Sequence, residues 1–218
     1  MIRVSKVRKL DNINSWSLQA RETCPGSLNA DGTLVDACAG CYAAFGQYLY
    51  PNVKEPRAEN REDWKREEWV ADMVSFLKKK SYFRWFDSGD VYSTRLAEKI
   101  LNVMKETPHC KHWFPTRMYK FEKFVPVLDA MNALPNVVVR FSSDSVTGEY
   151  TQGLHGSTIL PTKEFADAGV IVCETYERGG KCSGCRNCWD KEIPVIGYVI
   201  HGRVAKAKLR KKFAIAVA

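Results

Sequence analysis

Apolar residues recur along this chain in two patterns, short runs of four or five and longer stretches at three- and four-residue spacing, which is how strands alternating with helices are written. A first apolar stretch, Ser15 to Ala20, leads into Cys24, and a loop rich in Gly and Asp connects it to Cys38 and Cys41. The clearest helix is predicted over Asn60 to Lys80. Asn60 is placed to cap it, Glu62 and Asp63 suit its first turn and Lys78 to Lys80 its last, while Trp69, Val70, Met73, Val74 and Leu77 form one apolar stripe. Tyr82 to Phe86 reads as a strand, and Thr94 to Glu106 as a helix stopped by Pro108. His112 to Phe114 is a short strand ending at Thr116 and Arg117, and a helix is predicted over Phe121 to Leu134, with Pro126 as its true start or a kink. Val137 to Phe141 and Gly169 to Val172 are two further strands, ending at Ser142 to Asp144 and at Cys173.

Strand, helix, strand in repetition implies parallel strands joined by crossovers. The polar residues then fall in one place. Cys24, Ser88 to Asp90, Thr116 and Arg117, Ser142 to Asp144, and Cys173 each follow the C-terminal end of a predicted strand. In a parallel α/β sheet or barrel those ends open on one face, where ligands bind.

Seven of the eight cysteines fall into two groups. Cys24, Cys38 and Cys41 read C-x13-C-x2-C, and Cys173, Cys182, Cys185 and Cys188 read C-x8-C-x2-C-x2-C. No apolar run reaches the roughly 20 residues of a membrane span and the basic N-terminus has no secretory h-region, so a reducing cytoplasm is expected, where such thiols bind metal rather than pair as disulfides. Three thiolates two residues apart can wrap several corners of one iron–sulfur cube, so one or two clusters, of the 4Fe-4S type, are expected; zinc is the alternative. Four thiolates close a coordination shell, whereas three leave one iron open, unless Asp36 or a histidine such as His155 or His201 completes the set. Cys110 has no thiol at ligand spacing and reads as a buried apolar thiol. His109 and His112 read as surface or strand-end residues, the tryptophans mostly as core, and Trp189 as a shield for a cluster.

At the strand ends, Ser88, Gly89 and Asp90 are candidates for holding a cofactor amine or hydroxyl, with helix capping as the structural alternative for Asp90. Arg117 can bind a carboxylate or phosphate in bidentate fashion, and with Asp144 is a candidate for orienting substrate. Of the 33 basic residues, six lie between Arg203 and Lys212 with no acidic neighbour, and the remaining 27 nearly balance the 25 acidic ones. The chain therefore divides into a single α/β domain, 1–202, and a basic tail, 203–218, that can track the phosphates of a nucleic acid or simply be solvated.

The segments TCPG, CAGCYA, FRWFDSGD, WFPTRM, FSSDS and CSGCRNCW resemble a family of actinobacteriophage proteins named after gene product eighty-eight, whose function is undefined; the likeness spans roughly residues 15 to 202. It implies a phage-encoded protein of the host cytoplasm. A more distant resemblance is to radical S-adenosylmethionine enzymes. They are partial parallel (β/α) barrels, with three cysteines after the first strand binding a four-iron cluster and a Gly-Gly-Glu-like segment after the second holding the amine of S-adenosylmethionine. Cys24, Cys38 and Cys41 stand at the first place, and Ser88, Gly89 and Asp90 at the second, although the usual C-x3-C-x2-C is here C-x13-C-x2-C. This implies a partial barrel with a cysteine-rich C-terminal extension carrying an auxiliary cluster, Asp90, Arg117 and Asp144 serving radical chemistry on a small molecule or host macromolecule. The alternatives are a non-catalytic iron–sulfur sensor or nucleic-acid-binding protein, and a zinc-stabilised interaction protein.

Overall fold

A computed structural model describes residues 2–152, 154–201, 206, 207 and 210. The basic tail therefore lies almost wholly outside the described residues. Eight strands form one mixed, mostly parallel sheet: β1 (Val4–Val7), β2 (Ile13–Trp16), β3 (Tyr82–Trp85), β4 (Lys111–Thr116), β5 (Val137–Ser142), β6 (Gly156–Leu160), β7 (Val170–Val172) and β8 (Val195–Val199). Their order is β1-β2-β3-β4-β5-β6-β8-β7, and only β1, paired with β2, runs antiparallel. The sequence pattern foresees β3, β4, β5 and β7. It does not foresee β1 and β6, which are short and mix polar residues with apolar ones, or β8, a five-residue run broken by Gly197.

The helices are α1 (Asp36–Ala39), α2 (Pro51–Asp63), α3 (Trp69–Leu77), α4 (Thr94–Glu106) and α5 (Val125–Asn132). The single helix expected over Asn60 to Lys80 is two. Trp64 turns inward at the break, donating its indole N–H to Tyr92 Oη at 3.0 Å, and Lys99 donates to the carbonyls of Trp64 and Arg66 left open there. Asn60 is no cap: it is buried near the end of α2, where its side-chain amide donates to the Arg3 and Ser17 carbonyls. Pro126 does mark a helix start, standing in the first turn of α5.

Alternation along the strands separates the two faces of the sheet. On one face Trp16, Phe83, Trp85, Phe114, Val137, Val139 and Phe141 pack with the stripes of α3, α4 and α5 into the main core. His112 also belongs to this face and is fully buried rather than at the surface: Trp85 Nε1–H donates to its Nδ1 at 3.2 Å, so its Nε2–H is the donor to Thr107 Oγ1 at 3.0 Å. Burial without a countercharge pushes its pKa down to about 3.

The opposite face carries Arg84, Trp113 and Arg140, and it is covered by the segment that joins β7 to β8. Trp189 in this segment packs edge-on against Trp113 at 5.2 Å between ring centres and donates its indole N–H to Phe83 O at 2.8 Å. The cysteine-rich segment is thus not an extension. It is the crossover between two adjacent strands of the sheet, and Leu10, Trp113, Cys182 and Trp189 form a second apolar cluster beneath it.

Candidate functional site

The residue after β3 bends the chain. Phe86 adopts φ +54°, a conformation that costs a non-glycine residue of order 1–3 kcal/mol, and it is held there by its backbone N–H, which donates to Trp16 O at 2.8 Å, and by the rings of Trp16 and Phe114. Asp87 follows, then Ser88, Gly89 and Asp90. Gly89 has φ +77°, and a Cβ there would sit 2.7 Å from Leu18 Cβ and from Thr23 Oγ1. Ser88 Oγ donates to Leu18 O at 2.7 Å, and Asp90 N donates to Thr23 O at 3.0 Å. This turn is therefore laid directly against the loop that carries Cys24.

The other strand-end residues hold the same loop. The Asp90 carboxylate accepts from Thr116 Oγ1 at 2.7 Å, from Arg117 N at 2.8 Å and from Val91 N at 2.7 Å. Burial raises its pKa, against the pull of these donors. Arg117 donates through Nε to Asp144 at 3.2 Å and through Nη2 to Ser143 O at 2.7 Å; Lys120 reaches Asp144 at 2.6 Å and Gly26 O at 3.0 Å. The Asp144 carbonyl accepts from Ala37 N at 2.9 Å, fixing the start of α1 just before Cys38. The candidates Ser88, Gly89, Asp90, Arg117 and Asp144 are thus brought together, and what they jointly do in the fold is position the three-thiol loop.

A cavity of about 610 Å3 opens at these strand ends. Cys24, Cys38 and Cys41 line it, as do Cys173, Cys182 and Cys188, together with Ser88 to Asp90 and Arg117. Asp144 stands behind its wall, and Cys185 borders a smaller cavity of about 150 Å3 shared with Cys173, Cys182 and Cys188. All eight cysteines are free thiols.

Within each group the thiols sense one another. Burial pushes the Cys24 thiol up to about 12, and Asp90, Cys38 and Cys41 add to the shift; Cys38 is raised chiefly by burial, against the opposing charge of Arg117. Cys182 is pushed up to about 11 by burial and by Cys188, Cys173, Asp11 and Cys185. Cys188 is raised by burial, while the Tyr198 hydroxyl and Arg140 work the other way. Hydroxyls stand beside two of the sulfurs, Thr175 Oγ1 at 3.4 Å from Cys173 and Tyr198 Oη at 3.4 Å from Cys188. Among the described residues no three His, Cys, Asp or Glu side chains are gathered as closely as one metal ion requires.

Two arginines were not foreseen. Arg140, fully buried on β5, spends all five of its N–H donors on backbone carbonyls of the cysteine-rich crossover, those of Asn187, Cys188, Asp190, Ile193 and Pro194. Arg84 on β3 donates to Asp87 at 2.7 Å and lies over the Trp113 ring, 4.5 Å from its centre. Asp87 also receives Tyr48 Oη at 2.6 Å, with Arg57 at 3.7 Å, and its carbonyl accepts from Tyr42 Oη at 2.8 Å. The available signal was an arginine interrupting each of two apolar strands, YFRWF and VVVRF.

With this geometry in view, residues 2–191 match the family model described as Gene product 88. The chain belongs to the gene product 88 family. This is a phage gene-product family, and the match covers the sheet up to and including the four cysteines of the crossover. No curated protein and no solved structure matches the chain. No helix among the described residues of this family member is long and apolar enough to cross a membrane.

Proposed function

We propose that this gene product 88 protein is an iron–sulfur protein with a partial-barrel fold resembling radical S-adenosylmethionine enzymes, its three-thiol group holding a reactive cluster and its four-thiol group an auxiliary one. One observation carries the reading: thiols of two separate groups, more than a hundred residues apart in sequence, line one cavity at the C-terminal ends of parallel strands. Sequential strand order from β2 to β6, with α3, α4 and α5 packed on one face, supports the barrel.

The donor set fits the group. Several buried thiols that raise one another's pKa are unfavourable as bare thiolates, and a cationic iron core relieves that repulsion. Cys24, Cys38 and Cys41 would hold the first cluster, and Cys173, Cys182, Cys185 and Cys188 the second. Three-thiolate ligation supplies single electrons and one iron open to a ligand. The chain's own part is to fix the thiol loop through Asp90, Arg117 and Asp144, and to cover the second group with Trp189 and Tyr198.

A second reading, a non-catalytic iron–sulfur module, is favoured by the commitment of Ser88 Oγ and the Asp90 carboxylate to the scaffold, which leaves their side chains engaged without a ligand. Anaerobic purification followed by iron, sulfide and zinc assays tests both: about four irons and four sulfides per cluster are expected, and a colourless protein holding zinc alone would overturn both. Addition of dithionite and S-adenosylmethionine then separates them. Release of 5′-deoxyadenosine is the expected result, and none from an intact, reduced cluster leaves only the second.

A further inference from the structure

The cavity holds two donors that the fold leaves unused. Arg84 Nε and Trp113 Nε1 are both buried without a hydrogen-bond partner, on two side chains in contact with each other that both line the cavity. The indole N–H groups of Trp16 and Trp69, His155 Nδ1 and Arg178 Nε are also unpartnered, but the two tryptophans belong to the apolar core on the helix side of the sheet and neither His155 nor Arg178 lines this cavity. A buried N–H without an acceptor costs of order 1–3 kcal/mol, so two together at the wall of a cavity point to an acceptor that comes with a ligand.

The local charge gives the sign of that ligand. Arg84 and Arg57 both address the one carboxylate of Asp87, leaving an excess positive charge in a place largely closed to water. Burial works against the Arg84 charge, but Asp87 and Tyr42 raise its pKa, so it remains a cation. The other buried carboxylate on this wall, Asp90, is occupied by Thr116 and by two backbone amides. A guanidinium flanked by an aromatic N–H is suited to carboxylate or phosphate oxygens.

We propose that Arg84 and Trp113 form a binding site for an anionic oxygen group, carboxylate or phosphate, on a small-molecule substrate. The proposal takes from the preceding section that this cavity is where substrate is held, and adds the substrate's chemical class. Arg84 is linked to both thiol groups: it donates to Asp87, whose carbonyl accepts from Tyr42 next to Cys41, and it lies over Trp113, which packs against Trp189 next to Cys188. An anion anchored there places the rest of the substrate in the space between them.

The test is calorimetric titration of the full chain with inorganic phosphate and, separately, with acetate, at constant ionic strength. Saturable binding of at least one anion is expected, and which one saturates assigns phosphate or carboxylate. Arg84→Gln should raise the half-saturating concentration tenfold or more, and Arg84→Lys should recover part of the loss. Trp113→Phe keeps an aromatic six-membered ring beside Arg84 but removes the N–H with the rest of the five-membered ring; it should weaken binding severalfold and serves if the Arg84 variants do not fold. Absence of saturation by either anion, or wild-type binding in folded Arg84→Gln and Trp113→Phe, would overturn the proposal. Iron and sulfide measured on the same samples keep the two readings apart: binding without iron removes the cluster and leaves the anion site, and iron without binding does the reverse.

Discussion

Replacing Arg140 by Met removes a side chain that ties the cysteine-rich crossover to the sheet through five hydrogen bonds. Four of its five bonds, to Cys188 O, Ile193 O, Asn187 O and Asp190 O, lie at 2.9 to 3.0 Å, and the fifth, to Pro194 O, at 3.4 Å. A hydrogen bond from a charged donor contributes about 1.5–3 kcal/mol, so the four short bonds alone give about 6 kcal/mol. Against this stands the several kcal/mol spent on burying a cation that has no carboxylate within bonding distance, which Met does not incur. A net loss of about 3–4 kcal/mol is expected, and at 2–4 °C per kcal/mol the thermal midpoint should fall by roughly 6 to 16 °C. The effect has a local signature as well. Once the carbonyls of 187–194 lose their partner, the crossover loosens, and Cys188 in metal-free protein should react faster with a thiol reagent. Arg140→Lys, which keeps the charge but has fewer donors in the wrong geometry, should fall between the two. Urea unfolding of Arg140→Met within about 1 kcal/mol of wild type, with unchanged thiol reactivity, would refute the reasoning.

Other consequences are as specific. Gly89→Ala forces a Cβ against Leu18 and Thr23 at a φ of +77°, and should lower stability by about 2–4 kcal/mol in urea unfolding while raising the reactivity of Cys24. His112, neutral in the fold with its pKa pushed down to about 3, takes up a proton at 6.5 once unfolded. Its contribution is therefore fully present above about pH 6.5 and is lost as pH falls towards 3, at no more than about 1.4 kcal/mol per pH unit. Between pH 6.5 and 5 the wild type should lose about 2 kcal/mol more than His112→Gln, and parallel pH profiles would count against the buried neutral imidazole. Replacing Cys41 by Ser should remove the iron held by the three-thiol group while leaving that of Cys173, Cys182, Cys185 and Cys188, because the two groups are carried by different loops; loss of all iron from folded protein would show that they share one site.

Some of this was written locally and some was not. Periodicity alone places β3, α4, β4 and β5, because each carries an apolar stripe long enough to show its period. The arrival of Cys24, Asp90, Arg117, Asp144 and Cys173 at one end of the sheet also follows from the sequence, since parallel strands have their C-terminal ends on one side. The thiol spacings mark the chemistry in the same direct way. Asn60 shows where local reading fails: Asn before a run of acidic residues is a good cap by propensity, but the carbonyls of Arg3 and Ser17, more than forty residues away, offer its amide more than a helix terminus does.

What only the tertiary structure decided is which groups are spent and which are left over. Asp90, Arg117 and Asp144 look like free site residues in the sequence, yet their side chains are engaged by one another and by neighbouring strand-end groups, because partners distant in sequence complete their hydrogen bonds. Arg140 and Arg84 look alike as lone charges in apolar strands. One finds acceptors for all five of its donors in the crossover, and the other keeps a buried N–H beside the cavity. Sequence supplies donors and acceptors in number; only the packed chain pairs them, and the few it leaves unpaired beside the thiols are where a ligand has something to bind.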